Sequence, residues 1–338
     1  MHSNLSKCQY TIDGSPDANL RFARDILGCQ VLTLTDHTHK QGAAEFAWHL
    51  DKLEEAAGER NIVLYSSEPG LSSGHHTNFY AIDRQVFERL RLIGISEHDR
   101  EKVYEKIKRE FPEDSVLALR HFHGRCEDRF DSLEAAGTWD PDLEVAMETM
   151  QIRGDILMGR IMQDDEAVPP SFPANFLNSG AEIGFIGGSD HANGYLNHFA
   201  LTGFLVEDFS AEGVWEALKN RRTIACSNGK IAIWAELNGL PMGSKVKVAD
   251  DVVKIKTIIK GVLNLKRICL LRDGKPIKWL NVQGNGVETI LEDNEPMPGR
   301  HWYSVTAEGK SAFQDLGRES PETSVLAHSS PFFVDIEK

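Results

Sequence analysis

The run Val31-Leu32-Thr33-Leu34-Thr35-Asp36-His37 joins a strand to a pair of chemically active side chains. Aliphatic and β-branched residues in succession read as a buried strand, because such side chains pack well on a pleated surface. The run stops on an acid and an imidazole. Upstream, Ser15-Pro16-Asp17 is a helix start, with a side-chain oxygen to cap the first turn and proline at the first helical position. Leu20, Ala23 and Leu27 follow at helical spacing, and Gly28 closes the helix. The same order recurs downstream. The stretch 43–57 reads as a helix before Ile62-Val63-Leu64-Tyr65, 97–110 before Val116-Leu117-Ala118-Leu119, and 172–179 before Ile183-Gly184-Phe185-Ile186. Helix and strand in alternation predict an α/β fold, with parallel strands under covering helices.

The pattern changes after a last helix that Ser210 caps and that runs through Val214, Trp215, Ala217 and Leu218. From about Lys230 the chain reads as short alternating strands: Ile231–Trp234, Val252–Lys256, Arg267–Leu271 and Trp302–Val305. Asn238-Gly239, Asp273-Gly274 and Glu308-Gly309 supply turns between several of them. A small C-terminal antiparallel β-sandwich is the expectation. A chain of 338 residues is long for one core, and the division expected is 1–228 and 229–338.

Eleven of the thirteen histidines lie in the first 198 positions, which places the chemistry in the first domain. Asp36-His37 follows the first strand, Glu68 the next, His121-Phe122-His123 ends a third, and Asp190-His191 follows a fourth. The C-terminal ends of parallel strands are where such sheets build their sites. Imidazole and carboxylate together suit zinc, manganese or iron, and a carboxylate can bridge two ions, so two or three divalent metals are expected. Metal-activated water would then cleave an ester, phosphoester or amide bond. Electron transfer fits poorly, since cysteine ligands and haem or cluster spacing are missing.

Composition narrows the partners. A net charge of -14 argues against a nucleic-acid backbone, and no apolar run approaches the ~20 residues of a membrane span. The five cysteines are scattered and lack a C-x-x-C pair, so reduced, buried thiols are expected. Met1 leads into His2-Ser3-Asn4 with no secretory pattern, which gives a cytoplasmic expectation. The expected partner is a small-molecule substrate, anionic if basic side chains line the site, with a homo-oligomer as the expected assembly.

His2-Ser3-Asn4-Leu5-Ser6 before a helix, then Thr35-Asp36-His37, Glu68 followed by Gly74-His75, His121 with His123, and Gly188-Ser189-Asp190-His191 stand in a specific order. This series resembles the PHP family, named for polymerase and histidinol phosphatase domains. Gly74-His75-His76-Thr77-Asn78-Phe79-Tyr80 and the tail Ser329–Val334 look similar to its CehA/McbA-like metallohydrolase branch. The resemblance implies a distorted (β/α)7 barrel holding two or three metals and hydrolysing phosphoesters or amide and carbamate bonds. Carried over motif by motif, it makes His2, His37, Glu68, His75, His121 and Asp190 the metal ligands. Asp36 would orient a ligand or join the cluster, and Asp13 in Ile12-Asp13-Gly14 would sit at the rim. Two departures qualify the match. The family opens on His-x-His, whereas Met1 precedes His2, which suggests a start called too late. Asp190 and His191 are adjacent where the family spaces them by one residue, which brings His198 in as a substitute for His191.

Asp36, His123 and His191 are the candidates for proton transfer. Lys40, Arg125 and His76 are candidates for holding substrate, and Lys7 and Arg120 also flank the motifs. Each residue has a plainer reading. His49 and His98 lie in polar helical surroundings and read as structural, and Phe46 and Trp48 read as core. His39, His76 and His123 lie close enough to a favoured ligand to hydrogen-bond it. His37, Glu68, His121 and Asp190 could each be a satisfied polar group at a strand end. The rival function is accordingly a barrel without turnover that serves as a binding or scaffold module.

Overall fold

The computed structural model describes residues 2–7, 14–71, 76–121, 139–151, 154–157, 160–161, 172–190, 200–227, 230–309 and 325–337. Ser15 caps the first helix, Pro16–Arg21, by accepting the Ala18 N–H at 3.3 Å, and the helix widens into a π turn over Phe22–Ile26. Strand β1 (Val31–Leu32) pairs in parallel with β2 (Ile62–Val63). Glu68 N donates to Asp36 O at 3.2 Å, so the two segments stay side by side as far as the acids that end them.

A seven-stranded sheet follows: β3 (Tyr65–Ser67), β4 (Thr77–Ala81), β5 (Leu117–Arg120), β6 (Glu144–Gln151), β7 (Gly154–Asp155), β8 (Arg160–Ile161) and β9 (Gly184–Gly188). The strands run in that order from β3 to β8, with β9 on β6. β5, β6 and β9 are parallel, whereas β4 is antiparallel to both of its neighbours. The helices Ala43–Ala57, Arg84–Ser96 and Arg100–Glu110 bury Leu50, Leu53, Phe87, Leu90, Val103 and Ile107 in one core with Leu34 and Phe79.

This arrangement corrects the expected (β/α)7 barrel. The protein is mostly β, built from several sheets of mixed direction, and no closed barrel forms among the described residues. The physical reason lies after Glu68. A parallel neighbour requires a crossover of a dozen or more residues, commonly a helix. Here β4 starts at Thr77 and runs back along β3, and two helices fall together in the connection from β4 to β5. The equal spacing of helix and strand that would make a regular α/β barrel is therefore absent.

From Ala200 onward strands dominate, and Ser210 caps the helix Ala211–Lys219 by accepting the Gly213 N–H at 3.0 Å. An eight-stranded sheet runs from β10 (Ala200–Phe204) through β11 (Thr223–Ser227), Val325–Ser329, Gly299–Gly309 and Leu265–Arg272 to Lys275–Asn281. Phe332–Ile336 and Lys245–Val248 extend it from Gly299–Gly309. Ile231–Leu237, Leu240–Pro241, Val253–Gly261 and Gly286–Asp293 form a four-stranded sheet. The two sheets share a core in which Ile233, Ile255 and Leu291 meet Ile268, Val305 and Val334. β11 pairs with β10 on one edge and with Val325–Ser329 on the other, so one sheet holds strands from both sides of residue 228. Phe185 also shares a core with Trp302, Leu271 and Phe333. Cys226 and Cys269 are buried free thiols. Among the described residues, no helix is long and apolar enough to cross a membrane.

Candidate metal centre

The motif residues converge because their strands end at one place. Glu68 follows β3 directly, His121 follows β5, and Asp190 stands two residues beyond β9. Since β4 runs the other way, His76 reaches the same end by standing just before it, and its carbonyl accepts the His121 N–H at 3.0 Å. The N-terminal segment is tied in by its backbone. His2 N donates to Asp190 O at 2.7 Å, and Asn19 Nδ2 donates to His2 O at 2.9 Å. Asp190 itself has φ 51°, a left-handed conformation that Asp adopts more readily than most residues.

Glu68 is the hub. Its Oε2 lies 3.1 Å from His2 Nε2 and 4.0 Å from His121 Nε2, while Oε1 accepts from His76 Nδ1. Asp190 Oδ1 lies 3.3 Å from His2 Nε2 and 3.6 Å from His121 Nε2, which closes a ring of two acids and two imidazoles. His2, Glu68, His121 and Asp190 are buried, and His37 and His76 are half-buried. Two triads bring one donor atom from each member within 4.8 Å of the others: His2, His37 and Glu68, and Glu68, His76 and His121. Glu68 belongs to both.

Three of the imidazoles are held in the same way. His2 Nδ1 shares a hydrogen bond with Ser6 Oγ at 2.7 Å, His37 Nδ1 donates to Glu68 O at 2.9 Å, and His121 Nδ1 donates to Glu148 Oε2 at 2.6 Å. In each ring Nδ1 is occupied by a protein partner, which leaves Nε2 for the centre; this is how metal-binding histidines are usually oriented. Ser6 Oγ also accepts the His37 N–H at 2.9 Å, so one hydroxyl fixes two candidate ligands.

The electrostatics follow from the crowding of buried acids. Burial disfavours the charged form of His121, but Glu148, Glu68 and Asp190 outweigh it and raise its pKa from 6.5 to about 9. His2 is likewise held well above 6.5: burial opposes this, and Asp190 and Glu68 prevail. Burial would also raise Glu68, yet the charge of His121 and the contacts with His2 and His76 keep it well below the usual carboxylate range. His37 goes the other way. Burial, helped by the charges of His2 and Lys40, lowers it to about 4 despite the acid nearby, so its imidazole is neutral at pH 7. The donor set of imidazoles and buried carboxylates fits divalent zinc, manganese or iron. The raised imidazoles of His2 and His121 compensate acids this deeply buried, whose charge would otherwise be costly.

Asp36 lies outside the two triads. Its carboxylate accepts from Ser3 N and from Ser3 Oγ (2.6 Å), and Oδ2 lies 3.3 Å from His49 Nδ1. It therefore fixes the residue next to His2. His49, which the sequence suggests is merely structural, is fully buried in this network. Lys40 is exposed at the end of the short turn Thr38–Lys40 that follows His37. Lys7 pairs with Glu45 at 2.7 Å, and buried Arg120 bonds Glu144 at 2.9 Å and stacks on Phe176, so these two cations are engaged elsewhere. His75, His123, Arg125, His191, His198 and Asp13 lie outside the described residues. The sequence reading passes over Glu148, Ser3 and Ser6. The available signal for Glu148 is an acid in the middle of Val145-Ala146-Met147-Glu148-Thr149-Met150, an otherwise strand-like run.

No family model matches this chain. It is similar to an uncharacterized protein of Chlamydia muridarum, 25% identical over 187 residues that cover 51% of this chain. A Chlamydia trachomatis protein, also uncharacterized, is 25% identical over 188 residues. The match spans only 30% of the length of each of these curated relatives. Among solved structures, the CARDB domain of PF1109 from Pyrococcus furiosus matches 32% of this chain and 97% of its own, at 13% identity and a TM-score of 0.21. An engineered protein matches 95% of this chain and 80% of its own, at 10% identity and the same TM-score. Scores this low do not establish a common fold.

Proposed function

We propose that this chain is a metal-dependent hydrolase in which Glu68 would hold divalent ions together with His2, His37, His76 and His121. The observation that supports this reading is the membership of Glu68 in both triads, one carboxylate oxygen facing His2 and the other His76. His2 and His37 would hold one ion and His76 and His121 the other, with Asp190 beside His2 and His121 as a further oxygen donor. The order follows the PHP motifs except that His76 takes the place the resemblance gave to His75, which lies outside the described residues, and the proposal keeps these ligands without the barrel.

Ions at that position would supply Lewis acidity and lower the pKa of water toward about 7. The chain's own residues do the rest. Ser6, Glu148 and the Glu68 carbonyl orient the imidazoles, and Asp36 with Ser3 holds the N-terminal segment in register. His76 is half-buried and would close the second ion site from its solvent side. Lys40, exposed after His37, offers a cation to an anionic substrate group, which favours a phosphoester over an amide or carbamate.

The test is turnover of p-nitrophenyl phosphate and of an aryl carbamate by the 338-residue protein supplied with Mn²⁺ or Zn²⁺. The expected result is hydrolysis of the phosphoester that disappears in Glu68→Ala while the circular dichroism spectrum is retained. Bound metal with no turnover of either substrate would favour the scaffold reading instead.

A further inference from the structure

A cavity of about 560 Å³ lies where the sheets fail to close, lined by Val31, Leu32 and Thr33 and by all of Ala200–Phe204. This volume falls within the roughly 300–1,000 Å³ of small-molecule sites. Its walls are largely aliphatic, with Leu20, Leu64, Leu119, Ile186 and Val214 among them. The charges are unevenly placed. Of the described residues that line it, Glu148 and Lys230 alone are charged; Glu148 is buried and Lys230 is exposed. Lys230 Nζ donates to Leu27 O, and the half-exposed rings of Phe209 and Trp234 line the cavity too.

We propose that this cavity binds a single-chain amphiphile of the medium- or long-chain carboxylate class, tail inward and carboxylate at Lys230. The apolar walls favour transfer of an alkyl chain from water. Glu148, buried and already engaged by His121, offers no positive charge to a ligand anion. Lys230 attracts one at the outer end. The site is distinct from the triads and does not depend on the hydrolase reading, although Glu148, which lines it, also orients His121.

The test is displacement of the uncharged dye N-phenyl-1-naphthylamine from the full-length protein by dodecanoate and by dodecanol. Saturable dye binding is expected, with both compounds displacing it. In Lys230→Glu, dodecanoate should lose at least about fivefold in potency while dodecanol is unchanged. Gly203→Leu should weaken both; the nearest atoms to its added Cβ are those of the Ile224 side chain, from 3.4 Å. Lys230 is exposed, so Lys230→Glu remains informative if Gly203→Leu fails to fold. Absence of saturable dye binding, or dodecanoate potency unchanged in Lys230→Glu, would overturn the proposal.

Discussion

His121 Nδ1 donates to Glu148 Oε2 at 2.6 Å, and this contact turns the opposite nitrogen of the ring toward Glu68 and Asp190. Glu148 comes from the middle of β6 and His121 from the end of β5, so the parallel pairing of two strands orients a candidate ligand. Glu148→Gln should keep the fold, because glutamine has nearly the same shape. It should lower metal affinity about 10- to 100-fold, the usual cost of losing such a partner. Titration against a competing chelator checks this.

Gly188 is needed beside that acid. A Cβ at this position would overlap Glu148 Oε1. Gly188→Ala should therefore weaken metal binding in the same direction as Glu148→Gln. The double variant should be little worse than the more affected single one, since both act through one contact. Additive losses in the chelator titration would separate the two residues.

Asp36 is buried, accepts two hydrogen bonds from Ser3 and faces His49. Burial would raise its pKa, but His49, His2 and Ser3 prevail and lower it, so it is charged at neutral pH. Removing it strands its partners, and loss of one member of a buried charged network costs about 3–5 kcal/mol. Asp36→Ala should lower stability by about that amount in a urea melt. An unchanged midpoint would mean that this network does not hold the N-terminal segment.

In the ion-free protein, the raised pKa of His121 contributes stability that is complete below 6.5 and is lost as pH rises through about 9. Glu68, held low, contributes above its ordinary 4.5, and that contribution is lost as pH falls. Metal binding requires deprotonated imidazoles and so releases protons. The melting temperature without ions should fall between pH 7 and 9.5, and the gap between metal-loaded and chelator-treated protein should widen. Thermal melts at the two pH values measure both; a gap independent of pH would contradict histidine ligation.

The sequence makes the strand-end residues readable and hides what orients them. His37, Glu68, His121 and Asp190 each follow a compact apolar run, so their convergence can be inferred from local patterns. The partners of these residues come from distant segments. Ser6 and His37 are far apart in sequence, as are His121 and Glu148, and no local periodicity links them. The barrel expectation failed at β4 and β6. Thr77–Ala81 is a short, wholly buried strand, and nothing in its own pattern marks its antiparallel direction. In β6 the acids Glu144 and Glu148 mask a buried strand, because the groups that compensate them, Arg120 and Tyr104 for Glu144 and His121 for Glu148, lie elsewhere.

The most direct test of the metal centre is elemental analysis of the purified protein by inductively coupled plasma mass spectrometry, comparing wild type with Glu68→Ala after supplementation with zinc, manganese and iron. Membership of Glu68 in both triads predicts two divalent ions per wild-type chain and loss of both in the variant. Metal-free wild-type protein, or a variant that retains two ions, would contradict it.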